Sequence, residues 1–209
     1  MLDLFLTDSK AEIRGTFPVR DDAGGTLDEY SVSIELPPRY PDSLPIVRET
    51  AGRIPQTLNR HVLITTGTCC VLLPDARWEE HPIGAPFSEY LAGPLRNFFI
   101  GQSIVELGGD WPFGERAHGN DARLDYYREL FGTASDTVVR RFLEAVAWPH
   151  QKGRVNCPCG SGRRLRKCCS AKVYDLRTKL PRTTARNAFA ALGFRRGASA
   201  QHRTKSRRR

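Results

Sequence analysis

Residues 31–47 read SVSIELPPRYPDSLPIV and indicate the fold class of the first part of the chain. Apolar and polar side chains alternate over residues 31–36, as they do in a strand with one buried face. The proline-rich stretch 37–41 ends that strand because proline lacks the amide hydrogen that a sheet requires. A second extended stretch opens at Pro45. We therefore predict strands over residues 12–19, 29–36 and 45–50, with a turn at Gly24-Gly25 between the first two.

The spacing of apolar residues becomes helical after Trp78. Ahead of it, residues 61–66 are predicted to be another extended piece that leads to a cysteine pair. The later pattern predicts a helix across Pro94 ending at Gly108-Gly109, a second over 121–131, a third capped by Ser135, and a short one over 185–192. Strands followed by helices predict an α+β fold.

A candidate nucleophile follows the strands. Residues 67–72 read GTCCVL, and Trp78 lies eight positions after Cys70. Adjacent side chains of an extended segment point to opposite faces, so one cysteine of the pair should be buried. Alternation by itself leaves open which of Cys69 and Cys70 is the exposed thiol. The alternative is that both are buried strand cysteines.

This arrangement resembles the divergent bacterial branch of the ubiquitin-conjugating enzyme family. The residues that carry the resemblance are Tyr40, Pro41, Pro45, His61, Gly67, Cys70 and Trp78, within a span of about residues 10–130. Against this motif, the glycine and tryptophan spacings favour Cys70 as the exposed thiol and Cys69 as a small buried residue. The resemblance implies a UBC-like domain over residues 1–150, an antiparallel sheet followed by helices. It also implies that an activating enzyme passes a ubiquitin-like carrier protein to Cys70 as a thioester, and that Cys70 then transfers it to an amine on a target protein. A thioester suits this because sulfur is both a good nucleophile and a good leaving group.

Two features depart from the family pattern. The family has His-Pro-Asn ahead of its cysteine, with the asparagine stabilising the oxyanion, but no asparagine follows His61 here. Asn59 is the nearest substitute, and His61 is interpreted as structural. The family also opens with a helix that contributes to contact with the activating enzyme, and only about ten residues precede Glu12 here. Either that helix is absent or Met1 is not the natural boundary.

Residues 110–119, DWPFGERAHG, are a second point of resemblance to the bacterial branch. His118 lies in this glycine-rich loop next to a predicted helix start, where an imidazole could orient or deprotonate the incoming amine. The alternative is that His118 caps the loop or packs beneath it.

Residues 157–169 read CPCGSGRRLRKCC and resemble the SEC-C motif. The resemblance implies one structural Zn²⁺ held by four thiolates, which complete a tetrahedral site with no open position. The ligands are Cys157, Cys159, Cys168 and Cys169. So short a segment buries little apolar surface, so the metal would supply its folding energy. The alternatives are a redox dithiol and a disordered basic loop.

Charge divides the chain into unlike parts. The net charge is +9, but residues from 151 onward carry 18 Lys and Arg against one acid, Asp175. We predict a SEC-C zinc motif over 151–172 and a basic, disordered tail over 173–209. The tail is a candidate for non-specific nucleic-acid binding through phosphate contacts. The alternative is a solvated tail that aids solubility.

Hydropathy and the start of the chain indicate where the protein is located. The chain has no stretch of about 20 apolar residues and its start makes a poor signal peptide, so no membrane association and a cytoplasmic location are predicted. Reduced cysteines then favour metal binding or catalysis over disulfides. The resemblance implies a role in antiphage defence, with a nucleotidyltransferase among the candidate targets. The alternatives are a non-catalytic UBC-like binding module and a zinc-motif adaptor for nucleic acid or ribosomes.

Overall fold

The computed structural model describes residues 2–7, 10–114, 118–149 and 155–196. It divides into two compact units between His118 and Gly119. The predicted domain boundary lies later, at residue 150. The difference arises because two helices that the sequence assigns to the first domain belong to the same compact unit as the cysteine-rich segment.

Four strands in the first unit form one antiparallel sheet in the order β1-β2-β3-β4. They are β1 (Leu2–Thr7), β2 (Lys10–Arg20), β3 (Thr26–Leu36) and β4 (Ile46–Glu49). The three predicted strands correspond to β2, β3 and β4 and are confirmed. The sequence prediction missed β1, which pairs with β2 along its whole length and whose alternation of leucine with other residues is a strand signal.

The helices of the first unit follow the sheet in the chain. They are α1 (Arg77–Glu80), α2 (Phe87–Tyr90) and α3 (Arg96–Glu106), and the wider π-type turn Leu91–Leu95 joins α2 to α3. The predicted helix across Pro94 is therefore confirmed. Proline cannot donate to the preceding turn and its ring crowds the carbonyl four residues back, and a wider turn relieves both problems.

The core of the first unit lies between one face of the sheet and the helices. Val19, Val32 and Ile34 point into it and are at most 1% exposed. The ring of Tyr30 on β3 stacks on that of Phe99 on α3, with centroids 4.5 Å apart. The apolar residues of the alternating pattern that predicted the strands are therefore the ones whose side chains form the buried face of the sheet.

Residues 61–66 are not the predicted extended piece. The chain turns instead, with the amide of Gly67 donating to the carbonyl of Leu63 at 2.8 Å. Gly67 has a φ of 63°, a conformation that glycine adopts without a Cβ clash. The turn reverses the chain, so that Val62 forms an antiparallel bridge with Cys69.

The second unit is helical. Its helices are α4 (Gly119–Phe131), α5 (Asp136–Ala147), α6 (Ser170–Lys179) and α7 (Arg182–Ala191). The predicted helices over 121–131 and after Ser135 are confirmed as α4 and α5, although the Ser135 side chain makes no capping hydrogen bond. The short helix predicted over 185–192 is confirmed as α7, which begins three residues earlier.

The prediction of disorder from residue 173 onward is wrong for residues 173–196. Helices α6 and α7 occupy most of this range, and Leu176, Leu180 and Phe189 are at most 4% exposed. These apolar residues bury enough surface to offset the cost of ordering the chain, although the segment is basic overall. Residues 197–209 lie outside the described part. In the described residues, no helix is both long and apolar enough to cross a membrane.

Candidate functional site

The cysteine pair lies on a short extended strip between two neighbouring backbone segments. On one side, the amide of Cys69 donates to the carbonyl of Val47 in β4 at 2.8 Å. On the other, the amide of Cys70 donates to the carbonyl of His61 at 2.8 Å, and the amide of Leu63 donates to the carbonyl of Thr68 at 2.9 Å. Backbone bonds on both sides therefore fix the position of each cysteine.

The two thiols have different environments. Cys69 is 6% exposed and belongs to the core, and burial raises the pKa of its thiol to about 12. Cys70 is half-buried, and burial raises the pKa of its thiol as well. The side chain that the sequence assigns to the interior is therefore the more buried of the two. At neutral pH Cys70 is a thiol rather than a thiolate, so it is not activated in the manner of a protease cysteine.

Two aromatic rings pack around His61. This residue has a left-handed backbone with a φ of 50°, and its ring centroid lies 4.3 Å from that of Trp111. The ring of His118 lies 5.3 Å from that of His61. The structure therefore brings His118 next to the residue whose carbonyl holds the amide of Cys70. No hydrogen bond joins His118 to Cys70 in the described part of the chain.

Trp111 fits against α3 because position 101 is a glycine. A Cβ on Gly101 would lie 2.6 Å from the Trp111 ring, well inside van der Waals contact. Trp111 also packs on Phe98, with centroids 5.9 Å apart, which places it between the helix and His61. The close approach at Gly101 is a tertiary requirement that local sequence patterns do not reveal.

A reciprocal pair of hydrogen bonds fixes the turn that precedes His61. Arg60 Nε donates to the side-chain oxygen of Gln102 at 2.9 Å, and the Gln102 amide donates to the carbonyl of Arg60 at 2.7 Å. Gln102 is 0% exposed, so its polar atoms depend on these bonds. Sequence reasoning missed this contact. The available signal is that Gln102 falls on the apolar face of α3, three and four residues after Phe99 and Phe98.

The segment after Cys70 is tied to the proline-rich turn by a buried arginine. The guanidinium of Arg77 donates to the carbonyls of Pro41, Asp42 and His81, with distances of 2.8 Å to Asp42 and 3.2 Å to His81. Burial lowers the pKa of His81 and thus favours its neutral form beside Tyr90. The tyrosine-proline turn and the tryptophan-bearing segment of the sequence motif are therefore in contact.

Four thiols meet in the second unit. The sulfur atoms of Cys157, Cys159, Cys168 and Cys169 all lie within 4.8 Å of one another. None of the four is in a disulfide. The Sγ–Sγ distances are 3.3 Å for Cys157–Cys159, 3.6 Å for Cys159–Cys168 and 3.8 Å for Cys168–Cys169. This cluster can hold a metal ion.

Local backbone geometry assembles the cluster. The amide of Cys157 donates to the carbonyl of Arg163 at 2.8 Å, closing a loop in which Gly160 and Gly162 adopt φ values of 82° and 73°. The second cysteine pair directly precedes α6, and Cys169 is its N-cap. The positive end of the helix dipole favours negative charge there.

The thiols of the cluster differ in acidity. Hydrogen bonds from Ser161 lower the pKa of Cys159 to about 6, whereas burial raises the pKa of Cys169 to about 12. Four negative charges within 4.8 Å would repel one another strongly, so full ionisation requires a cation among them. The donor set therefore fits a metal ion better than it fits four free thiolates.

Two cations that the sequence assigns to the zinc motif and the tail cap helices instead. Lys172 donates to the carbonyl of Phe131 at 2.8 Å, at the end of α4. Arg177 donates to the carbonyl of Ala145 at 2.8 Å, near the end of α5. A positive charge at these positions pairs with the negative end of the helix dipole. These two cations are therefore part of the packed structure.

Comparisons of the chain with protein-family models, with curated proteins and with solved structures found no match. The chemistry of the two cysteine sites is therefore the main guide to function.

Proposed function

We propose that this protein is a ubiquitin-conjugating-like transferase that carries a ubiquitin-like protein on Cys70. The observation that carries the proposal is the asymmetry of the cysteine pair. The Cys69 thiol is buried in the core, whereas the Cys70 thiol is half-buried. Both lie on an extended strip that is hydrogen-bonded to β4 on one side and to His61 on the other. The strip follows an antiparallel sheet and precedes the helices, which is the element order that the resemblance implies.

The chemistry is two acyl transfers. In the first, the Cys70 sulfur attacks the carbonyl carbon of the carrier's C-terminal thioester on the activating enzyme. A new S–C bond forms, the activating enzyme's sulfur leaves, and the Cys70 proton passes to it. In the second, a target amine attacks the same carbon, an amide forms, and the Cys70 sulfur leaves and recovers a proton. We assign to His118 the role of orienting or deprotonating that amine, because its ring lies beside His61.

Adduct trapping tests the proposal. The chain is expressed together with the genes that flank it in its genome, as wild type and as Cys70→Lys, Cys70→Ser and Cys69→Ser. We expect a thiol-labile adduct on wild type and on Cys69→Ser, its loss in Cys70→Ser, and a thiol-stable adduct on Cys70→Lys. Non-reducing gels and intact mass measure this. Absence of every adduct, with carrier, activating enzyme and ATP present, would refute the proposal.

One observation favours a second candidate, a non-catalytic module that binds the carrier. The position after His61 is Val62, a core residue, and the Asn59 side chain is exposed. The residue that follows His61 therefore has no polar side chain for an oxyanion. This candidate predicts that carrier binding survives in Cys70→Ser and that no covalent adduct forms, so the same experiment separates the two.

We further propose that the cysteine cluster binds one structural Zn²⁺. Zn–S bonds of about 2.3 Å place tetrahedral sulfur atoms about 3.8 Å apart. The three Sγ–Sγ distances of 3.3 to 3.8 Å lie within about 0.5 Å of that value. All four sulfur atoms lie within 4.8 Å of one another. Four protein ligands leave no position for a reacting water, so the ion would stabilise the fold rather than catalyse. Metal analysis should give one zinc per chain for wild type, and clearly less for Cys159→Ser with Cys168→Ser.

The setting of this activity is proposed by analogy with the resembled family alone. It comprises a cytoplasmic location, antiphage defence and a nucleotidyltransferase as one candidate target. Mass spectrometry of the product trapped by Cys70→Lys would identify the carrier, and the isopeptide on the modified protein would identify the target. A target unrelated to nucleotide synthesis would exclude that part of the proposal.

A further inference from the structure

Four cations form an exposed cluster beside the metal site, which we call the cationic loop. They are Arg163, Arg164, Arg166 and Lys167. In the described part of the chain, none of these side chains makes a hydrogen bond or an ion pair. They differ in this from Lys172 and Arg177, which cap helices in the same unit. The cationic loop is therefore free to bind an external anion.

Nearby charges do not cancel the cationic loop. A divalent ion bound to four thiolates has a net charge of about −2, which leaves an excess of positive charge on the loop. The sole acid in residues 155–196, Asp175, pairs with Lys179 at 2.8 Å. On α5, Glu144 lies near the cluster and pairs with Arg140 at 3.1 Å. The local field is therefore positive, and a polyanion is the complementary ligand.

A shallow depression adjoins the cationic loop. Its volume is about 450 Å³, and its floor is largely apolar. Its lining includes Val155, Leu165, Arg166, Ala171, Val173 and Tyr174. The Tyr174 side chain is 71% exposed, which is unusual for so large an aromatic residue on a helix with a buried face. The Tyr174 ring and the Arg166 guanidinium line the same depression. This surface therefore suits a ligand in which a planar, uncharged group is attached to an anion.

We propose that this surface binds single-stranded nucleic acid. Phosphates lie on the cationic loop, and one unpaired base stacks on Tyr174 over the apolar floor. Lysine and arginine supply affinity by releasing counterions from the phosphates, and an exposed aromatic ring accepts any base. A duplex keeps its bases paired and cannot place one in the depression. An acidic peptide would use the cations but has no requirement for Tyr174. This proposal is independent of transfer on Cys70.

Fluorescence anisotropy with the zinc-loaded full chain tests the proposal. The probe is a labelled single-stranded RNA of about 20 nucleotides, longer than the roughly 4–16 that a small binding fold covers. Arg166→Gln/Lys167→Gln should weaken binding about 25-fold at 0.1 M salt and reduce the salt slope by about 1.4, the loss of two phosphate contacts. The matched control Arg20→Gln/Arg39→Gln removes two exposed cations of the first unit and should leave affinity within about twofold.

Stacking on Tyr174 is tested separately, by affinity compared with the salt slope. Tyr174→Ala should weaken binding about fivefold to a hundredfold with an unchanged salt slope, because stacking releases no counterions. Tyr174→Phe keeps the ring and should bind as wild type does. Circular dichroism and zinc content show whether each variant remains folded.

Three results would overturn the proposal. The first is equal weakening by the loop variant and its matched control. The second is a poly-glutamate probe that binds as tightly as the RNA with no effect of Tyr174→Ala, which would assign the surface to an acidic protein. The third concerns the five cations within residues 197–209. If replacing them with glutamine abolishes binding while the loop variant does not, the terminal segment and not the loop is the site.

Discussion

Gly101→Ala tests how Trp111 supports the candidate active site. The added Cβ would lie 2.6 Å from the Trp111 ring, so the ring must move by about 1 Å to reach ordinary contact. Overpacking of this kind costs about 1–3 kcal/mol. Alanine also favours a helix over glycine by about 1 kcal/mol, which offsets part of the cost. We therefore expect a net loss of about 0–2 kcal/mol in the free energy of unfolding.

Gly93→Ala is the matched control because it lies in the helical turn before α3 and its new Cβ would meet nothing within 4 Å. It should gain the helix preference without the clash. The difference between the two variants then isolates the overpacking, about 1–3 kcal/mol. Urea unfolding in a Trp148→Phe background measures it by the fluorescence of Trp78 and Trp111, both in the first unit. Alkylation of Cys70 should also accelerate in Gly101→Ala alone, because the displaced Trp111 no longer supports the His61 segment.

A double variant checks the assignment to this contact. Trp111→Leu removes the ring atoms that the new methyl would strike, so the combination of Gly101→Ala with Trp111→Leu should cost less than the sum of the two single changes. If Gly101→Ala is as stable as Gly93→Ala, or if the two costs at 101 and 111 simply add, Trp111 does not pack against Gly101 and the reasoning fails.

Burial lowers the pKa of His81 in the folded protein, so the unfolded chain binds a proton at this residue more readily. The free energy of unfolding should therefore have its full value above about pH 6.5 and fall as the pH drops below it. His81→Gln should flatten that dependence in urea unfolding at pH 5 to 7. Iodoacetamide should alkylate Cys70 at least about tenfold faster than Cys69, as measured by peptide mapping, and comparable rates would contradict the assigned burial. Lys172→Met removes the cation at the Phe131 carbonyl and should cost about 0.3–1 kcal/mol, less at high salt, in thermal unfolding. Chelation of the proposed Zn²⁺ should reduce helix content in circular dichroism and speed tryptic cleavage after the exposed arginines that precede α6, because a metal-binding free energy of about 10–16 kcal/mol would be lost. Unchanged proteolysis would show that this segment folds without an ion.

The fold class was readable from local patterns. The alternation over residues 31–36 and the proline-rich turn after it predicted β3 and its end, and the apolar periodicity predicted α3, α4 and α5. These patterns are informative because strand and helix periods place their apolar residues on one face. The four clustered cysteines were readable for a similar reason, since metal-ligand spacing is local in the chain. Basic composition misled the prediction for α6, which lies in the segment expected to be disordered, whereas the short helix over 185–192 was predicted and is α7. Both helices pack on α5.

By itself, the sequence determined the α+β class, the cysteine pair as a candidate site and the four candidate metal ligands, because each depends on residues close together in the chain. Only the tertiary structure decided that Gly101 admits Trp111 and that Gln102 holds Arg60. It also decided that Lys172 and Arg177 cap helices while the cationic loop stays free. The physical reason is that a close approach, a buried hydrogen bond or a paired charge depends on the partner that folding brings near, and spacing along the chain does not specify that partner.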